Sequence, residues 1–125
     1  MPSQRTYLVV EPMRPIAEDL ALDLTDLDPE GQVLIAASED GAMALLAGLD
    51  RVTLAIVHAA PGSHPPSPLG MALAQRGAVS VLIGDRAEEA LGLTNLPVLQ
   101  RPYAPTEVLA LLTRLLAAPG VSPGA

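Results

Sequence analysis

The chain has no cysteine, no tryptophan and no phenylalanine. Without cysteine there is no disulfide framework, no thiolate metal site and no cysteine nucleophile. Tyr7 and Tyr103 are the two aromatic residues, so a core must be built from Leu, Val, Ile and Ala. Positive charge is also short: seven basic residues, all arginine, stand against fourteen acidic ones, for a net charge of −7. Such a surface repels nucleic acid and anionic membranes, and neither is expected as a partner. No apolar run reaches membrane-spanning length. The opening residues, Met-Pro-Ser-Gln-Arg-Thr, lack the architecture of a signal peptide, and a cytoplasmic location is expected. The first strand-like run exits into Glu11-Pro12-Met13-Arg14-Pro15. A glycine-rich loop is missing there, which excludes a dinucleotide fingerprint and a P-loop.

What is present is patterned for a globular fold. Half of the 125 residues are apolar, enough for one domain with a single core. Thr53-Leu54-Ala55-Ile56-Val57-His58 is the central stretch: a short apolar run between turn residues, read as a strand buried on both faces. His58 falls at its carboxyl end, where open parallel sheets gather ligands and chemistry. Further strands are expected at 7–10, 32–36, 79–83 and 96–100.

Helices alternate with these strands. The first begins near Pro15 and runs to about Leu27, with Ile16, Leu20, Leu24 and Leu27 inward and Asp19, Asp23 and Asp26 wet. Ser38 caps the second and Ser67-Pro68 opens the third, which closes at Gly77. Asp85-x-x-Glu88 has the spacing of a capping box for a short fourth helix ending near Gly92. Pro105 and Glu107 begin the last, which reaches about Ala117. This alternation predicts an α/β, flavodoxin-like three-layer sandwich, with a five-stranded parallel sheet in order 2-1-3-4-5 and five helices. The domain spans 6–117. Residues 118–125, rich in Pro, Gly and Ser, are expected to be a disordered tail.

Reactive constellations are sparse. Ser63-His64 sits in a proline-rich loop expected to be flexible. Adjacent residues do not form a nucleophile–base pair, and no carboxylate is placed to orient the histidine. Glu11, His58 and His64 are too scattered to define a metal site. No cofactor is expected, and no enzyme activity.

The C-terminal stretch Val98-Leu99-Gln100-Arg101-Pro102-Tyr103-Ala104-Pro105-Thr106-Glu107-Val108-Leu109 carries a resemblance. It is similar to the end of receiver domains of two-component response regulators, where a strand finishes in Lys-Pro-Phe or Lys-Pro-Tyr followed by x-Pro-x-Glu-Leu. Leu8-Val9-Val10-Glu11, Ala37-Ser38-Glu39-Asp40-Gly41-Ala42-Met43-Ala44-Leu45-Leu46 and Thr53 to Val57 match in the same order, so the resemblance covers residues 6–117. It implies phosphoryl transfer to an Asp after the third strand, a divalent cation held by acidic groups, and a hydroxyl and a Lys on the phosphoryl oxygens.

This sequence departs from that set. The acceptor position falls on His58, or on Val57 if the loop is aligned without a gap. The acidic pair is reduced to Glu11 and Pro12. The hydroxyl position is Ile83, or Gly84 with a slip of one residue. The Lys position is Arg101, which keeps the charge but not the geometry. One carboxylate makes a poor Mg²⁺ site. The expectation is a pseudo-receiver with a vestigial phosphorylation pocket of Glu11, Pro12, His58, Ile83 and Arg101, in which Arg101 pairs with Glu11. The resemblance also implies a cis bond before Pro102.

Two functions remain open. One is a protein-interaction module in a two-component or phosphorelay pathway, with a histidine kinase, a phosphotransfer protein or another receiver as partner. The last helix favours it: Val108, Leu109, Leu111, Leu112, Leu115 and Leu116 span an arc of about 160°, wider than sheet docking needs. Leu109, Leu112 and Leu116 are the expected partner or homodimer contacts. The other is a small-molecule or anion sensor that uses Arg101 and His58. A flavodoxin-like enzyme is disfavoured by the missing phosphate loop.

Overall fold

The computed structural model describes residues 5–101 and 103–117. Strand β1 (Thr6–Val10) leads to helix α1 (Arg14–Leu27), then β2 (Gln32–Ala36), α2 (Glu39–Leu46), β3 (Leu54–His58), α3 (Pro68–Gln75), β4 (Val79–Ile83), α4 (Asp85–Glu89) and α5 (Pro105–Ala117). The four strands form one parallel sheet in order β2-β1-β3-β4. The expected flavodoxin-like layering is therefore present. No helix among the described residues is long and apolar enough to cross a membrane.

The period of two along each strand divides the core. Tyr7, Val9, Leu54, Ile56, Val81 and Ile83 face α1 and α5, where Leu20, Leu24, Val108 and Leu112 meet them. Leu8, Val10, Ala55, Val57 and Leu82 face the other way, onto Ala42 and Leu46 of α2, Leu69 and Leu73 of α3, and Ala87 of α4. With so few aromatics the packing is aliphatic. Tyr7 is the exception: it is fully buried, and its hydroxyl donates to Asp28 Oδ2 at 2.7 Å. Burial, reinforced by Asp28, pushes that phenol up to about 12.

Both serine caps form. Ser38 Oγ accepts from the Gly41 amide at 3.1 Å and Ser67 Oγ from the Gly70 amide at 2.9 Å, so each satisfies a helix-terminal donor. Arg76 works at the opposite ends. Its guanidinium donates to the carbonyls of Leu49, Ala72 and Leu46 at 2.8, 2.8 and 3.0 Å, joining the end of α3 to the end of α2.

Three expectations are corrected. The fifth strand, 96–100, is reduced to a single parallel bridge between Leu82 and Val98. Leu82 donates to Pro97 at 2.9 Å and receives from Leu99 at 3.0 Å. Upstream the ladder stops because Pro97 has no amide hydrogen. Downstream, the Arg101 amide donates to Glu88 Oε2 at 3.2 Å instead. Second, Asp85-x-x-Glu88 is not a capping box: Gly84 is the N-cap, without a side-chain cap bond. Third, Asp23 is not wet but 7% exposed. Positions 16, 20, 23 and 27 follow the helical repeat, which turns Asp23 toward the inner face.

Candidate functional site

Glu11, His58 and Gly84 follow or end β1, β3 and β4, and parallel register brings their positions together at the carboxyl edge of the sheet. Val10 pairs with Val57, and His58 pairs with Ile83. The Glu11 side chain is 4% exposed. Its backbone amide still donates to Ala36 at 3.0 Å, while Oε2 accepts from the Met13 amide at 2.8 Å. Its second oxygen, Oε1, lies 3.5 Å from His58 Nδ1. The buried carboxylate is thus held by the turn it starts and faced by the imidazole.

The other face of that imidazole lies on Gly84. A Cβ at position 84 would collide with His58 Cδ2 and Nε2. Gly84 also has φ +104, a conformation that L side chains rarely adopt. Two independent requirements therefore call for glycine here. His58 fills the space between Glu11 and the β4 exit, although 43% of its side chain remains open to solvent.

Arg101 is engaged elsewhere. Its guanidinium makes an ion pair with Asp85 and another with Glu88, the latter at 2.9 Å from Nε. The hydrogen bond from Arg101 holds the Glu88 carboxyl below the usual range, and the same two carboxylates push the Arg101 guanidinium higher still. The expected pairing of Arg101 with Glu11 does not form. Asp85 and Glu88 are three apart on one helical face and present two acceptors to a planar fork, whereas Glu11 is already taken by Met13 and His58.

Tyr103 stands over the same edge, half-buried. Burial pushes its phenol up, Glu88 and Glu11 add to this, and Arg101 and the backbone of Gly84 oppose it. Among the described residues no group of three or more His, Asp or Glu is placed to hold a metal ion.

Of the residues singled out from sequence, Glu11 and His58 meet, and Pro12 is exposed beside them. Ile83 does not line the site. It is fully buried in the α1/α5 face of the core, because its side chain alternates away from the strand's exit. The slipped position, Gly84, is the one that faces His58. Pro102, for which a cis bond was expected, lies outside the described residues. On α5, Leu112 is fully buried and packs the core rather than offering a surface; Leu109 and Leu116 are half-buried. Gly84 entered the sequence reading only as the alternative to Ile83, and Tyr103 and the Asp85/Glu88 pair were not recognised as site residues. The i, i+3 carboxylates before an arginine were the available signal for the last of these.

No family model matches the sequence, and no curated protein does either. Solved structures do match. SdrG from Sphingomonas melonis Fr1 superposes with a TM-score of 0.69 at 27% identity, covering 94% of this chain and 100% of that one. The signal receiver domain of a DNA-binding response regulator (merR) from Colwellia psychrerythraea 34H gives 0.65 at 14% identity, over 92% and 100%. A response regulator receiver protein from Sinorhizobium medicae WSM419 gives 0.63 at 16%, over 93% and 97%. The chain has the fold of response regulator receiver domains.

Proposed function

We propose that this chain is a signal-receiver module that takes no phosphoryl group on an aspartate and acts through protein–protein contact. The observation that carries this reading is His58. At the end of β3 the imidazole occupies the space between Glu11 and Gly84, and no carboxylate occurs from residue 52 through residue 83 to act as acceptor. Arg101, tied to Asp85 and Glu88, does not reach over that space to receive phosphoryl oxygens. The same tie argues against the anion-sensor alternative, since an anion would have to displace two carboxylates. A histidine kinase, a phosphotransfer protein or another receiver is the class of partner that recognises this fold. Neither catalysis nor a cofactor enters the proposal.

The test is incubation with Mg²⁺ and acetyl phosphate, followed by intact-mass measurement. We expect no added phosphoryl mass. A stoichiometric adduct, on His58 or elsewhere, would overturn the proposal.

A further inference from the structure

His64 belongs to none of the chemistry above. It lies in the loop between β3 and α3, and it is not flexibly exposed as its proline-rich setting suggests. The loop folds into consecutive turns, with the His64 amide donating to Ala60 at 3.0 Å and the Ser67 amide to His64 at 3.1 Å. His64 is 4% exposed. Nε2 lies 3.1 Å from Ser80 Oγ on β4, while Nδ1 is buried without a hydrogen-bond partner.

The backbone is seated equally closely. Ser67 Oγ donates to the His64 carbonyl at 2.7 Å and accepts from the Gly70 amide. A Cβ at position 70 would collide with that same carbonyl oxygen. The loop is therefore fixed to α3 through its backbone and to β4 through one imidazole nitrogen.

This arrangement suits a neutral ring. An unprotonated Nδ1 needs no acceptor. A protonated one would present an N–H to surroundings that offer none, and would place a charge in an apolar layer. Glu39, at the start of α2, is the charged group that acts on it, and it favours the cation from beyond hydrogen-bond reach. From β4 it meets Ser80, and from α3 Gly70 and its cap Ser67; none of these titrates. Burial outweighs Glu39 and holds the imidazole below the ordinary histidine range. The His64–Ser80 pair is no hydrolytic dyad, because burial keeps substrate from it.

We infer that His64 is an acid-sensitive latch: protonation detaches residues 59–67 from β4 and remodels the surface that follows His58. The latch does not depend on the signalling role proposed above. Its sign follows from linkage. The neutral seat contributes fully above the ordinary value of 6.5, and its stability is lost as pH falls from there through the lower folded-state value.

The experiment is amide hydrogen exchange by NMR from neutral to mildly acid pH, with ring-proton titration of the chain's two histidines. Exchange is corrected for its chemical rate. For the loop we expect an opening constant rising by up to about tenfold per pH unit below the ordinary histidine value, while amides of β1 and β3 stay protected. His64→Leu should abolish that slope and His58→Asn should keep it. Ser80→Ala, which leaves the ring in place, should loosen the loop at every pH while retaining a slope. His64 titrating at or above the ordinary value would overturn the inference. So would a loop indifferent to pH, a slope that survives in His64→Leu, or one lost in His58→Asn.

Discussion

Asp23 is a carboxylate in an unfavourable place. It is 7% exposed on the inner side of α1, and burial, with Asp26 and Asp19 adding, raises its pKa. A charged Asp23 therefore opposes folding above its folded-state value, and the penalty fades as pH falls toward the ordinary 3.8. Asp23→Asn should stabilise the protein at neutral pH by about 0.5–1 kcal/mol from relieved i−4 and i+3 repulsion alone. The gain should shrink on acidification, as thermal melts across pH would show. Gly84 is the opposite case, a residue that cannot be improved. Gly84→Ser combines φ +104 with a collision against His58, and should cost about 1–3 kcal/mol. Chemical denaturation measures the loss, and the His58 ring signal should shift as the imidazole leaves Glu11.

At the scale of elements, one side chain ties the end of α2 to the end of α3 beside their shared apolar packing. Arg76 donates to three carbonyls at the helix ends, of which Leu46 also accepts from the Leu49 amide at 2.9 Å. Hydrogen bonds from a charged donor contribute more than neutral ones, and orphaned carbonyls add their own penalty. Arg76→Ala should lower stability by about 2–3 kcal/mol, read from the denaturant midpoint at constant slope. Arg76→Lys should recover only part, because an ammonium cannot span three acceptors with the reach of a planar fork. On the other edge, Arg101 does for the segment after β4 what a strand ladder would have done. It ties that segment to α4 through Asp85 and Glu88 rather than through backbone pairing.

For the whole molecule, the net charge of −7 and the surface of α5 set the terms of association. We propose a homodimer through α5 with Leu109 as its outer contact, since Leu112 is committed to the core and Leu116 lines a cleft with Leu27, Tyr7 and Thr113. Self-repulsion weakens such a dimer, so added salt should strengthen it. Sedimentation at rising protein and salt concentration should show a monomer–dimer equilibrium that Leu109→Glu abolishes. A wild-type monomer throughout, or an unaffected variant, would dismiss the dimer.

Local order could be read from the chain because its causes are local. Apolar runs of strand length, the serines at 38 and 67, and proline at helix starts act over a few residues, and apart from the strand expected at 96–100 the elements appear where they indicate. The absence of Asp and Glu around β3 was equally legible and needs no coordinates. Asp23 could have been placed inward from its spacing to Leu20 and Leu27, had periodicity been weighed above charge. Tertiary structure decided the competitions between distant residues. Arg101 had three carboxylates within its family of choices, and only the turn of α4 makes Asp85 and Glu88 the better acceptors. His58 lies on Gly84 because parallel register brings two strand ends together across 26 residues. The proline-rich loop hides His64 because Gly70 lets α3 approach its carbonyl. Such outcomes depend on which partners the folded backbone brings within hydrogen-bond range, and sequence separation carries no measure of that distance.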